Sequence, residues 1–374
     1  MVFGNLFSDN NINNGRQHAF DLCKAVSIIL MILCHVFYTM KYCAPATLNP
    51  TYIAQNAVRF LGAQFFMFAM GMGLIYSRHD SAKYCAKRGL ILLVSGYLLN
   101  FVCLVLPSII IGKSLVFGDI FVTNRFLMLF GADILQFAGL TLLFFAIVKQ
   151  FKWSDMTVLI TTLCITAIGT LCTDKIFLTL TPEHFYYAFA GLIVPVKNFI
   201  TSEYVCFSFS NWLIYPVTGW FFGKMLKRCY DLDKFYLYLL GISLPLFLIE
   251  WVIFSVMGKN LWLTLMNPII YHQQNPIILV IYMTVIMLAL SLSHFISIHL
   301  IKFKLWKVIK HMSVELLTLY IASWVVIGWL SAGLRYTNKF LTNDWNTILL
   351  VFGFVFGVSE LYIYLKNKYI KPLK

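Results

Sequence analysis

Long apolar runs, separated by short clusters of polar residues, recur along the whole chain. The first lies in Arg16 to Met40 (RQHAFDLCKAVSIILMILCHVFYTM), where His35 is the only ionisable side chain after Lys24. The stretch from Ala25 to Met40 covers ~24 Å as a helix, and with its flanks it can cross a ~30 Å hydrocarbon layer. Further runs predict membrane helices over about 57–77, 89–108, 126–148, 156–172, 207–226, 235–257, 276–298, 313–334 and 345–365, with the first over about 20–41. Lipid admits only helices or closed barrels, and these runs far exceed the ~10-residue alternating segments of a barrel. The expected fold is therefore all-α: a polytopic membrane helix bundle of about 10 transmembrane helices. Residues 1–374 read as a single membrane-embedded domain, with 1–15 as a flexible tail. The segment 43–56, with two prolines, reads as an external loop. Within 176–200 the apolar piece YYAFAGLIVPV is short and holds a proline, so it reads as a re-entrant or interfacial element.

Composition sharpens this picture. Hydrophobic residues make up 60% of the chain and charged ones 12%, against ~25% charged in soluble domains; mean hydropathy is +0.80. The net charge of +14 would suggest nucleic-acid binding in a soluble protein, but here it sits in the loops. If the N-terminus is cytoplasmic, 20 of the 29 Lys and Arg residues fall on the cytoplasmic side. They cluster at 16–24, 78–88, 149–152, 224–234, 302–310 and 366–374. This bias favours ten helices with both termini inside, in contact with the lipid bilayer and with no nucleic-acid partner. The nine cysteines lie mostly in apolar runs without CxxC spacing, so they read as small buried side chains, and no metal is expected. The first ten residues carry no basic region, so no cleaved signal is expected. The Lys- and Asn-rich chain without N-x-S/T sequons is compatible with the bacterial cytoplasmic (inner) membrane.

Chemistry in such a chain must come from polar groups inside its helices. Lys24 and His35, eleven positions apart, share a helix face to within ~20°. Ionisable groups at membrane depth point to function, although a snorkelling lysine and a singly hydrogen-bonded histidine would satisfy the same pattern. A histidine in a cavity can take a proton from a hydroxyl or amine, or carry an acyl group itself, since its unperturbed pKa lies near ~6.5. Asp21 or Asp133 could orient that imidazole. Gln136 shares a face with Asp133; Asn211, Glu250, Glu315 and Glu360 are the other polar candidates. Lys24 is placed for an anionic donor arriving from the basic side.

These residues fall into a known arrangement. FDLCKAVSIILMILCHV resembles the opening helix of the membrane acyltransferases, typically Leu-Asp-x-x-Arg-Gly and then an apolar run ending Met-x-x-x-His. QFFMFAMGMGLIYSRH, KRGLILLVSGYLL and RFLMLFGADILQFAGLTLLFF resemble that group's second, third and fourth helices. FSNWLIYPVTGWFFGKML and KHMSVELLTLYIASW resemble two later motifs, and all occur in family order over residues 16–330. The branch that fits is the heparan-alpha-glucosaminide N-acetyltransferase catalytic-domain family, within the acyltransferase-3-like superfamily.

The resemblance implies a membrane O- or N-acyltransferase. It would move an acetyl group from cytoplasmic acetyl-CoA to a sugar or glycan acceptor at the membrane or its outer face. His35 then falls on the superfamily histidine, Asp21 on the aspartate of the first motif and Tyr320 on the tyrosine of the late one. Lys24 replaces the family arginine, keeping the charge without its bidentate fork; Ala25 and Ser323 replace a glycine and a histidine. The implied catalytic set is His35, Asp21 and Asp133, and the implied donor-binding set is Lys24, Arg88 and Tyr320. In the heparan branch the catalytic histidine lies in the loop after the first helix, yet none occurs here between Tyr38 and Ser77. The alternative is a transporter or flippase, whose internal repeats find no match in this chain.

Overall fold

A computed structural model describes residues 6–39, 50–79, 81–112, 116–117, 120–121, 125–173, 191–194, 207–265, 274–337 and 345–369. In order these form α1 (His18–Thr39), α2 (Pro50–Tyr76) and α3 (Ala82–Asn100), which continues through a π-helical turn (Phe101–Val105) into α4 (Leu106–Ile111). Then come α5 (Arg125–Phe130), α6 (Ile134–Gln150), α7 (Asp155–Thr173), α8 (Phe209–Trp212) and α9 (Ile214–Arg228). The chain proceeds through α10 (Leu232–Val256), α11 (Leu261–Leu265), α12 (Pro276–Leu300), α13 (Leu305–Val314), α14 (Leu316–Tyr336) and α15 (Trp345–Tyr369). Among the described residues the only sheet is a two-residue antiparallel ladder, Val116–Phe117 with Ile120–Phe121.

Among the described residues, six helical stretches are long and apolar enough to cross a membrane: His18–Phe37, Ala82–Ile111, Leu232–Val256, Pro276–Leu300, Leu316–Leu334 and Trp345–Tyr369. Shorter apolar stretches lie in α2, α6 and α7. Large side chains such as Leu237, Ile242, Leu248 and Val252 project from α10 unburied, as lipid-facing groups do. The protein is a multi-pass integral membrane protein built as a helical bundle. At its centre α1 packs against α2, α12, α13 and α14. The α2–α9 pair is backbone to backbone: Gly71 faces the Pro216 carbonyl, and Gly219 faces the Phe68 carbonyl. Small residues at such crossings let membrane helices approach closely.

Local chemistry moves several expected boundaries. Ser81 accepts a hydrogen bond from the Tyr84 amide and starts α3 ahead of residue 89. Pro50 opens α2, so 50–56 is helix rather than loop. Pro107 does not end the third helix, because it sits at the start of α4, just after the π turn. The expected fourth helix breaks at 131–133 and the ninth at Glu315. The segment expected as a free tail is anchored from Leu6 onward. Ser8 and Ile12 amides donate to the Arg228 and Lys227 carbonyls at 2.7 and 2.9 Å, and the Tyr230 amide donates to the Leu6 carbonyl. Apart from 191–194, the 176–200 segment lies outside the described residues, as does all of 43–49.

One end of the bundle gathers the basic clusters. Lys224 pairs with Asp155, His294 Nε2 with Asp233 Oδ1 at 2.7 Å and His311 Nε2 with Glu360 Oε2 at 2.9 Å. The Lys366 ammonium donates to Glu315 Oε2 at 3.0 Å, and the His18 ring meets Trp306 edge-on. Contacts of a different kind tie the other end: Thr166 donates to the Ser210 carbonyl, Tyr215 to Gln274, and Asn100 to the Leu129 and Gly131 carbonyls.

Candidate functional site

Between α5 and α6 the helix is broken at 131–133. Interrupting a helix at membrane depth frees backbone groups that lipid cannot satisfy, and side chains supply the partners. Asp133, in extended conformation, accepts from the Ile134 amide at 2.7 Å, while Gln136 Oε1 accepts from the Asp133 amide at 3.1 Å. This is a capping box. Gln136 Nε2 donates to the Gly131 carbonyl, and Asn100 Nδ2, at the joint between α3 and its π turn, donates to the Leu129 and Gly131 carbonyls.

The capped carboxylate has a second task. Asp133 Oδ2 accepts from the Tyr320 hydroxyl at 2.9 Å, and Tyr320 is buried on α14. One turn along α14, Trp324 lies under His35 with ring centroids 4.1 Å apart and planes at 36°. The Tyr320 ring meets His35 edge-on at 6.3 Å. His35, Trp324, Tyr320 and Asp133, drawn from three parts of the chain, thus form one cluster. Gln136 is fully buried behind it, whereas His35, Trp324 and Asp133 keep part of their surface open. Such an arrangement can hold an imidazole in a fixed plane beside a positioned phenol and carboxylate.

The other sequence candidates fall elsewhere. Asp21 is buried at the basic end of α1, where the Arg16 guanidinium clasps it and Ser313 Oγ donates to it at 2.6 Å. Asp21 and His35 are fourteen positions apart on α1, about 21 Å, so the structure does not bring these two together. Lys24 lies between, about 16 Å from His35 along the axis, with its ammonium 4.6 Å from the Phe20 ring centre. Arg88 is exposed at the start of α3, apart from the His35 cluster. Tyr320, read with the donor-binding residues, stands in that cluster instead. Glu250 accepts from Thr284, and Asn211 from Ser210. The side chain of Arg125 lies outside the described residues. Among the described residues no three His, Cys, Asp or Glu side chains converge as a metal site.

Sequence reasoning missed Trp324 and Asn100. A tryptophan inside an apolar run looks the same whether it faces lipid or an imidazole. Asn100 had a visible signal, a lone amide closing an apolar run.

A family model described as heparan-alpha-glucosaminide N-acetyltransferase, catalytic, matches residues 16–237. That span includes His35, Lys24 and Asp133 and ends before α14. No curated protein matches the chain.

Proposed function

The chain belongs to the heparan-alpha-glucosaminide N-acetyltransferase catalytic family and is a membrane acetyltransferase; we propose that its transfer step turns on His35. Acetyl-CoA reaches in from the basic face, where Lys24 meets an anionic part of the donor. The acceptor is an amine or hydroxyl of a glycan at the opposite face. As the acceptor attacks the thioester carbonyl, a C–N or C–O bond forms and the C–S bond breaks. His35 takes the proton released by the acceptor and returns it to the departing thiolate. Trp324 holds the plane of the ring, and the Asp133–Tyr320 pair fixes the wall beside it. The supporting observation is the close, tilted contact of His35 with Trp324 next to a phenol held by a carboxylate.

The bundle crosses the membrane ten times with both termini cytoplasmic, in a bacterial cytoplasmic membrane. The gathering of the basic clusters at one end supports that orientation.

The test is His35→Gln, since an amide can replace a hydrogen bond but cannot act as a base at neutral pH. Turnover should fall ~10²–10⁴-fold, with calorimetric acetyl-CoA affinity unchanged. Acetylation at the parental rate would make His35 structural. Acetyl-His35 accumulating in single turnover without acceptor would make it an acyl carrier instead.

A further inference from the structure

The connector α13, between α12 and α14, carries groups that the transfer chemistry does not use. Both neighbouring helices hold stretches long and apolar enough to span a membrane. Since α13 joins their ends on the side of the basic clusters, it lies at the level of one membrane surface. One side of α13 is committed to the bundle. Trp306, Ile309, Met312 and Ser313 are buried; Trp306 meets the His18 ring edge-on, and Ser313 Oγ donates to Asp21 at 2.6 Å.

The rest of the connector faces away from protein. Lys302, Lys304, Lys307 and Lys310 are all exposed, and the last three recur at a spacing that keeps them on one side of the helix. Among the described residues no carboxylate stands within ion-pair distance of these four. By contrast, Arg16 pairs with Asp21, Lys224 with Asp155, Arg228 with Asp9 and Lys366 with Glu315. Beside the unmatched lysines, Phe303, Leu305 and Val308 are 62%, 56% and 51% exposed. In water those three side chains would gain nothing from such exposure. At the boundary between acyl chains and headgroups both sets are satisfied: the apolar groups enter hydrocarbon, and the ammonium groups reach phosphate.

We propose that α13 is an interfacial docking surface for anionic glycerophospholipids. The lysine row from 302 to 310 collects their phosphates, and Leu305 and Val308 sit among their acyl chains. A soluble polyanion such as coenzyme A would match the charges but leave the apolar side chains in water, so the lipid is the better occupant. The inference stands independently of the acetyltransferase reading.

The test uses the full chain, in a background lacking the native cysteines, in phosphatidylcholine nanodiscs with a bimane fluorophore on Val308→Cys. Brominated phosphatidylglycerol or brominated phosphatidylcholine is supplied at the same low mole fraction. Phosphatidylglycerol should quench at least about fivefold more efficiently, because each lysine near the surface favours an anionic lipid by about that factor. The preference should vanish when glutamine replaces Lys302, Lys304, Lys307 and Lys310 together, persist when arginine replaces them, and fade at high salt. Bimane at Leu350, exposed on α15, should quench equally with either lipid. Equal quenching at position 308, a preference that survives the glutamine variant, or one displaced by micromolar acetyl-CoA would overturn the proposal. Quenching by neither lipid would place α13 in water and overturn it as well.

Discussion

An imidazole lying 4.1 Å from an indole is restrained in plane and tilt without being neutralised, because the partner carries no charge. The carboxylate acts at one remove: Asp133 holds Tyr320, and Tyr320 borders His35. Asp133 also caps α6, so its two duties can be separated. Asparagine caps a helix nearly as well as aspartate, and alanine does not. Asp133→Asn should therefore keep the thermal midpoint of the parent in detergent yet lower kcat about tenfold or more. Asp133→Ala should lose a further ~1 kcal/mol of stability. If the asparagine variant turns over at the parental rate, the charge at 133 has no part in the reaction. Lys24, His35 and Asp133 were legible in the sequence because each is a titratable group in an apolar run, where such groups are costly. Their grouping was not legible. Asp21 and Asp133 were equivalent partners for His35 on paper, and only the helix axis, with Asp21 and His35 fourteen positions apart on α1, separates them.

At the scale of elements, apolar periodicity located the membrane helices and ran straight through their interruptions. The Asp-x-x-Gln of GADILQ is a cap signature, but inside an apolar run it carried less weight than the run itself. At Glu315 the cause is similar: MSVELLTL continues the pattern while the chain changes direction between α13 and α14. Close backbone approach is better signalled, since glycines crowd α2. A Cβ at Gly71 would sit 1.7 Å from the Pro216 carbonyl oxygen, and one at Gly219 2.0 Å from that of Phe68. Gly71→Ala must push α2 and α9 apart and should cost ~3 kcal/mol or more, read as a lowered unfolding midpoint. Gly73→Ala, two residues away in open space, is the matched control and should change little. At the end of α15, Lys366 donates to both Glu315 and Thr318. Burial pushes the Glu315 carboxyl upward, but hydrogen bonds from Lys366 and Thr318, with the Lys366 charge, outweigh it and leave its pKa below the ordinary value. A depressed folded-state pKa contributes stability that is present above the unfolded value, near ~4.3, and lost as pH falls through the folded one. Glu315→Gln should thus lower the midpoint slightly at pH 7, by under ~1 kcal/mol, and show a smaller deficit at pH 3. An equal deficit at both pH values would assign the loss to packing.

For the whole molecule the decisive question is which ends share a face. Residues 6–12 pair with the end of α9, Lys224 with Asp155 at the start of α7, Asp233 with His294, and Ser313 with Asp21. Every one of these contacts joins segments that the distribution of Lys and Arg had placed on one side. Charge counting reads loops, which composition reveals, whereas helix breaks depend on partners that composition cannot supply. Across 174–206, both flanking elements end at the same face: Thr166 of α7 bonds Ser210 of α8, and Gly169 abuts the Ser210 side chain. With an even number of crossings between them, every later cluster, including Lys302 to Lys310, stays on the same side as the first. A single crossing there would reverse all that follows and part Lys224 from Asp155. Single cysteines at Ser154 and Lys307, in a background lacking the native cysteines, should both resist an impermeant maleimide in whole cells and react in inverted vesicles. Reaction of position 307 alone in whole cells would show that the chain crosses once between α7 and α9. Reaction of both positions would invert the whole protein, placing Lys24 on the acceptor's side and removing it from the donor site.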